Sequence, residues 1–252
     1  MNTIECIRTR SMYRGRLQSQ ELTEHDLRQL IDAAGWAPSG HNSQPWEFLV
    51  VDDEDTIASI ARIASDNFDT FLANSPDLQR FVSNFSRWLR WSERELTEAG
   101  DGIFFERMPR KVWEELTELT SDEEIRERLI DMFGSRGMPS KLISTAPCLI
   151  LTLVNTERPI PDRSNDMMAL TSAGAAMQNL RLAATELGIA VHEQSPLYDL
   201  PETREALSAL LGIPAHCHIV GGMRLGYPTK PVRSSMTHIR RPVDSVMHRN
   251  RY

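Results

Sequence analysis

The chain has 252 residues, a net charge of −7 and three cysteines. That length supports a full hydrophobic core in one large domain or two small ones. Cys6, Cys148 and Cys217 are too few and too far apart for a disulfide framework or a zinc site and read as inert core thiols. No apolar run approaches the ~20 residues of a membrane helix, and Glu5, Arg8 and Arg10 interrupt any signal-peptide core, so a cytoplasmic protein without a membrane partner is expected. Charge is uneven: residues 92–131 hold thirteen acidic and six basic side chains. A nucleic-acid partner, which rewards clustered Lys and Arg, is therefore not expected.

In chain order, residues 22–36 place Leu27, Leu30, Ile31 and Ala34 at helical spacing, with Thr23 as N-cap. Residues 37–46, Ala-Pro-Ser-Gly-His-Asn-Ser-Gln-Pro-Trp, form a polar loop leading into a strand at 48–51. A run this rich in hydrogen-bonding groups and ending in Trp46 is either a binding wall or an ordinary surface turn. A helix begins at 55–64, and from 68 to 139 tryptophans stand among dense charges with Gly and Pro breakers, the pattern of a helical insertion or lid. Residues 146–154 are continuously apolar, which predicts a strand buried on both faces at the centre of a sheet. Residues 166–187 are the strongest helix, stopped by Gly188, and 189–191, 202–211 and 218–225 read as strand, helix and strand.

The residues offer little catalytic apparatus. His216 and His218 alternate on a strand without a third metal ligand nearby, so no metal is expected. Neither a Gly-x-Gly-x-x-Gly nor a phosphate-binding P-loop is present. A protein without evident acids, bases or metal ligands can still be an enzyme if a cofactor brings the reactivity. Arg10 and Arg14, four residues apart, would lie on one side of a helical turn and could grip one phosphate; a solvated basic turn is the alternative. The basic stretch 224–251 is likewise either a solvated tail or an anion contact.

Four blocks in order resemble the nitroreductase-like flavoproteins. They are Arg10-Ser11-Met12-Tyr13-Arg14; residues 37–46; Gln178-Asn179-Leu180-Arg181-Leu182-Ala183-Ala184 with Leu187-Gly188; and Leu225-Gly226-Tyr227-Pro228 followed by Arg240-Arg241-Pro242-Val243-Asp244. The resemblance implies an α+β fold with a central, mainly antiparallel sheet flanked by helices. It implies one domain over residues 1–252 carrying a helical lid insertion at about 68–139, and an intertwined homodimer with FMN at its interfaces.

By the same resemblance, Arg10, Ser11, Met12 and Arg14, joined by Arg240, hold the FMN phosphate and ribityl tail. Met12 stands where the family often has a serine donating to that phosphate, which leaves Ser11 as the substitute hydroxyl. Pro38, Ser39, Gly40 and Asn42 reach the flavin from the partner subunit, and Glu193, Gln194 and Ser195 line its isoalloxazine edge. No catalytic side chain is implied, because the flavin carries the chemistry. His41, Trp88, Trp91, Trp113 and Lys141, with Phe104 and Phe105, are the substrate-side candidates.

The implied activity is hydride transfer from NADH or NADPH to FMN and then to a small aromatic acceptor, a nitroaromatic or quinone, by ping-pong kinetics. The Ser39-Gly40-His41-Asn42 wording looks closest to the iodotyrosine-deiodinase-like branch, but the four tyrosines, Tyr13, Tyr198, Tyr227 and Tyr252, all fall outside the insertion that would supply its substrate clamp. A flavin-dependent reductive dehalogenase of a halophenol and a flavin-binding protein without turnover are the alternatives.

Overall fold

The computed structural model of the chain describes residues 2–80, 82, 110–158, 167–232, 243 and 246–251. Along these residues run α1 (Thr3–Thr9), α2 (Glu24–Gly35), β1 (Trp46–Val51), α3 (Glu54–Asn74), α4 (Arg110–Glu118), α5 (Asp122–Phe133) and α6 (Met138–Ser144). They are followed by β2 (Cys148–Asn155), α7 (Met167–Glu186), β3 (Ala190–Glu193), α8 (Pro201–Leu211) and β4 (Cys217–Gly226). The helix and strand expectations for residues 22–64 and 146–225 hold to within a few residues at each end.

The chain divides into two units. The first, Met1–Ala73 with Ile130–Val232, contains the whole four-stranded antiparallel sheet, in the order β1-β2-β4-β3. Seven of the eight residues of β2 are buried, as its apolar run predicts. Because successive side chains alternate, Cys148 and Ile150 enter a core with Leu30 and Ala34 of α2 and Ala176 and Leu180 of α7. Leu149, Leu151 and Leu153 enter a second core with Ile57, Ile60 and Ala64 of α3, Ile143 of α6 and Leu207 of α8. The sheet is thus covered by helices on both faces, an α+β sandwich. The β2–β4 register shifts between Thr152 and Leu153, a bulge beyond which β4 continues to pair.

Local chemistry sets the helix ends. Thr23 caps α2 by accepting from the Asp26 N–H at 3.1 Å, and Asp26 in turn accepts from the Tyr227 hydroxyl at 2.6 Å, tying the end of β4 to the start of α2. Beyond α7, Gly188 takes a positive φ of 69°, the left-handed stop that glycine adopts without strain.

The second unit is Asn74–Leu129 with Arg233–Tyr252. Helix α3 runs unbroken to Asn74, past the expected start of the insertion at 68. In this unit the Ser121 hydroxyl accepts from the Glu124 N–H and the Glu124 carboxylate accepts from the Ser121 N–H, a capping box that starts α5. Leu78, Leu116, Ile125 and Leu129 are buried. Among the described residues no helix is long and apolar enough to cross a membrane.

All three cysteines are free and buried. Burial, reinforced by the Asp52 carboxylate, pushes the Cys148 thiol up to about 12. The expectation of inert thiols therefore becomes a measurable one. Maleimide or disulfide-reagent titration near pH 8 should leave Cys148 unmodified in the native protein and modify all three thiols in denaturant; rapid native modification of Cys148 would contradict the burial described.

Candidate functional site

The polar loop after α2 is built from strained backbone. Its 3-10 turn, Gly40–Asn42, is followed by Ser43 and Gln44, and His41, Asn42 and Gln44 have φ values of 54°, 56° and 45°. Left-handed backbone costs roughly 1–2 kcal/mol for a residue other than glycine, least for asparagine. The loop's own groups offset this. The Ser39 hydroxyl accepts from the Gln44 N–H at 3.0 Å, and Gln44 Nε2 donates to Asn42 Oδ1 at 3.1 Å. The Asn42 and Ser43 N–H groups close onto the Ser39 and Gly40 carbonyls. Pro38, His41 and Asn42 are exposed, and Ser39 and Gly40 are half-buried. A Cβ on Gly40 would come 2.1 Å from the Met168 methyl, so the loop lies directly on the start of α7. Trp46 does not belong to the binding surface expected of it: it opens β1, is 8% exposed and packs in the first core.

Residues 10–14 are not a helical turn, contrary to the expectation for the two arginines. Helix α1 stops at Thr9, and Arg10 has φ −52° and ψ 126°. The segment is anchored instead to the sheet. The Tyr13 N–H donates to the Val191 carbonyl of β3 at 2.9 Å. Arg224 of β4 donates through Nη2 to the Tyr13 carbonyl at 2.9 Å and to the Gly15 carbonyl at 2.7 Å. Arg10, Ser11, Met12 and Arg14 are all half-buried. A cavity of about 340 Å³ brings Arg10, Ser11 and Met12 together with Arg181 of α7, against an apolar wall that includes Ile189, Val191 and Val232. Arg14, the loop after α2 and residues 193–195 do not line it.

At the end of β3 the side chains are committed to one another. The Glu193 carboxylate is paired on one oxygen with Arg181 Nη2 and accepts on the other from the Tyr198 hydroxyl at 2.5 Å. Burial and this carboxylate raise the Tyr198 phenol far above its ordinary range, so it stays protonated as the donor. Gln194 is 2% exposed, with its amide 2.7 Å from His192 Nδ1. Glu193 and Gln194 therefore present backbone rather than free side chains at the strand end. Ser195 is exposed and opens the 3-10 turn Ser195–Leu197, where its N–H has no acceptor within the turn and Pro196 carries no N–H.

Lys141 is exposed on α6. Trp88, Trp91, Phe104, Phe105 and Arg240 lie outside the described residues, as does the side chain of Trp113 on α4. His216 approaches Glu157 at 3.7 Å, His218 is exposed, and no group of three potential metal ligands occurs among the described residues. Sequence reasoning missed Arg224, Tyr198 and His192. The available signal for Arg224 was a lone arginine inside an otherwise apolar strand, which must find partners for five N–H donors.

A sheet covered on both faces by helices, an arginine-bearing N-terminal segment hooked onto its edge strand and a strained polar loop set on a long helix make an α+β protein. Its fold is that of solved nitroreductases such as nitroreductase A from Vibrio parahaemolyticus, with a TM-score of 0.62 at 17% identity, covering 100% of this chain and 78% of that one. The model of the Nitroreductase family matches residues 7–227, and the chain belongs to that family. It is similar to a 4-nitrobenzoate reductase of Nocardioides sp. (strain LMS-CY), 26% identical over 234 residues, 89% of this chain and 80% of the relative. A shorter similarity, 37% identity over 59 residues, covers 23% of this chain and 32% of an iodotyrosine deiodinase of Thermotoga neapolitana. Among solved structures, the NADPH:FMN oxidoreductase from Vibrio harveyi complexed with NAD+ superposes with a TM-score of 0.62 at 16% identity, covering 100% of this chain and 78% of that one.

The strained loop has a direct stability test. His41→Gly should raise the urea midpoint by relieving left-handed backbone, an effect of about 1 kcal/mol. Ser39→Ala should lower stability by about 1 kcal/mol through loss of the bond to the Gln44 N–H. Equal midpoints for both variants would show that the loop is not held this way.

Proposed function

We propose that the protein is an FMN-dependent oxidoreductase using NADH or NADPH and a small aromatic acceptor, with a nitroaromatic as the favoured acceptor class. The observation that carries this reading is the arginine-bearing segment 10–14, fixed to β3 and β4 in a chain whose family match spans residues 7–227. The donor set fits the cofactor. Arg10 and Ser11 supply cationic and hydroxyl donors to the cavity lining, Arg14 follows in the same anchored segment, and Ile189, Val191 and Val232 add apolar surface. Such a site suits a molecule with a phosphate at one end and a flat apolar body. The chemistry that FMN supplies when bound is acceptance of a hydride from the dinucleotide and delivery of electrons to the acceptor.

The chain's own residues then have limited tasks. Arg10 and Arg14 bind the phosphate, with Arg240 as a third cation from the sequence. The backbone N–H of exposed Ser195 would offer a hydrogen bond at the isoalloxazine edge, on a strand end where Glu193 is held by Arg181 and Tyr198. Donor and acceptor occupying one pocket in turn would give ping-pong kinetics. The nitroaromatic preference is supported by the similarity to the 4-nitrobenzoate reductase. The short similarity to the deiodinase supports a second reading, reductive dehalogenation of a halophenol.

A homodimer belongs to the same proposal. Trp36 at the end of α2 is 81% exposed, and Met167, Met168 and Leu170 at the start of α7 are exposed, as are Ile4 and Ile7 of α1. Exposed apolar residues on three helices that pack together in one unit suit burial against a second copy. That arrangement would place the loop on Met168 next to the partner's flavin.

Purified protein should be yellow, and Arg10→Ala with Arg14→Ala should weaken FMN binding by at least about 100-fold, the loss of two charged contacts. A colourless protein that cannot take up FMN overturns the reading. Anaerobic reduction with NADH or NADPH, then reoxidation by nitroaromatics, quinones or halophenols, assigns the acceptor: rapid reoxidation by the nitroaromatic is expected, and halide release only with halophenols would favour dehalogenation instead. Light scattering should give a dimer, and Leu170→Glu should shift it toward monomer.

A further inference from the structure

We propose that Arg224 is a positioning residue for the phosphate end of the flavin, acting through the backbone on either side of Arg14; this rests on the FMN reading above. Arg224 sits on β4 opposite Leu149 of β2 and His192 of β3 and is 1% exposed. No carboxylate pairs with it among the described residues, and burial lowers its guanidinium to about 10. Its partners are carbonyls: Tyr13 and Gly15 on Nη2, and Leu142 at 3.5 Å from Nη1.

The two close carbonyls belong to the residues that flank Arg14. With the Tyr13 N–H already held by Val191, three hydrogen bonds pin the chain at residues 13–15 and fix the backbone from which the Arg14 side chain departs. Gly15 completes the turn, since a Cβ there would lie 2.5 Å from the Tyr13 ring. The clamp also works electrostatically. Two carbonyl oxygens beside an anion site would oppose a phosphate, and Arg224 donates hydrogen bonds to both while adding behind the segment a positive charge that no carboxylate pairs among the described residues. A buried ion without a counter-ion is costly, and an anion bound at residues 10–14 lowers that cost.

The consequence is selective: Arg224 should matter for FMN, which carries the phosphate, and little for riboflavin, which lacks it. In flavin-stripped protein, Arg224→Met should raise the Kd for FMN by about 10-fold or more and that for riboflavin by less than about 2-fold, with Arg224→Lys in between for FMN. Equal losses for both flavins would mean a general structural role and overturn the inference, as would no change for either. Hydrogen exchange of the flavin-free protein tests the clamp independently. Amides of residues 11–16 should exchange faster in both variants while β1 and β2 keep wild-type protection; unchanged exchange at 11–16 overturns it. Should Arg224→Met fail to fold, Arg224→Lys carries both measurements. A wild-type protein that takes up neither flavin refutes the cofactor reading, and the exchange result then decides the clamp alone.

Discussion

Strand β2 is buried on both faces, and the remainder of the first unit follows from that constraint. A strand of this kind cannot lie at an edge or face water, so it needs a partner on each side and a helical layer on each face. β1 and β4 supply the partners; α2 with α7, and α3 with α6 and α8, supply the layers. The edge strand β3 then comes to lie beyond β4, with its outer side free for the segment that follows α1. Hooking residue 13 onto β3 places the arginines of segment 10–14 beside the carboxyl-terminal end of β4. The position of the candidate site is therefore a consequence of how the sheet had to be covered.

The loop after α2 shows the opposite economy. Three non-glycine residues in left-handed backbone within four positions make a locally unfavourable structure, of the order of several kcal/mol before compensation. Ser39, Asn42 and Gln44 spend their polar groups on one another and on the loop backbone. What such a loop gains is rigidity, with few rotamers left to freeze when something binds beside it. In the proposed reading, recognition at this loop would fall on its fixed backbone and on exposed Pro38 and His41 more than on the serine and asparagine side chains.

Legibility in the sequence followed the physics of each element. The helical spacing of apolar residues exposed α2 and α7, and an unbroken apolar run exposed β2, because burial imposes these patterns directly; the N-cap Thr23 and the stop at Gly188 are where the chain places them. Four blocks in order, residues 10–14 and 37–46 among them, carried the resemblance to the family, yet not the geometry. The two arginines do not share a helical turn, because α1 ends at Thr9 and the sheet edge captures the chain at Tyr13. Trp46 looked like part of a binding surface and is a core residue, since β1 begins two positions earlier than the apolar run at Phe48 suggests. Long-range polar contacts, Arg224 to residues 13 and 15 or Arg181 to Glu193, have no local signature, because sequence separation hides which buried donor meets which carbonyl.

Arg181, half-buried, and Arg224, buried, differ in their partners, and the difference carries chemical meaning. Arg181 meets a carboxylate and is neutralised; its role is to hold Glu193 and, through Tyr198, the strand end that leads to Ser195. Among the described residues Arg224 meets only carbonyl dipoles, through Nη1 and Nη2, which accept hydrogen bonds without cancelling charge and leave Nε unpartnered. With no carboxylate paired to it among the described residues, Arg224 keeps a positive potential beside the segment that carries Arg10 and Arg14. A carboxylate beside Arg224 would stabilise the empty fold and weaken its attraction for an anion by the same interaction. In the proposed reading, such an arrangement would favour the anion-bound state over the free one.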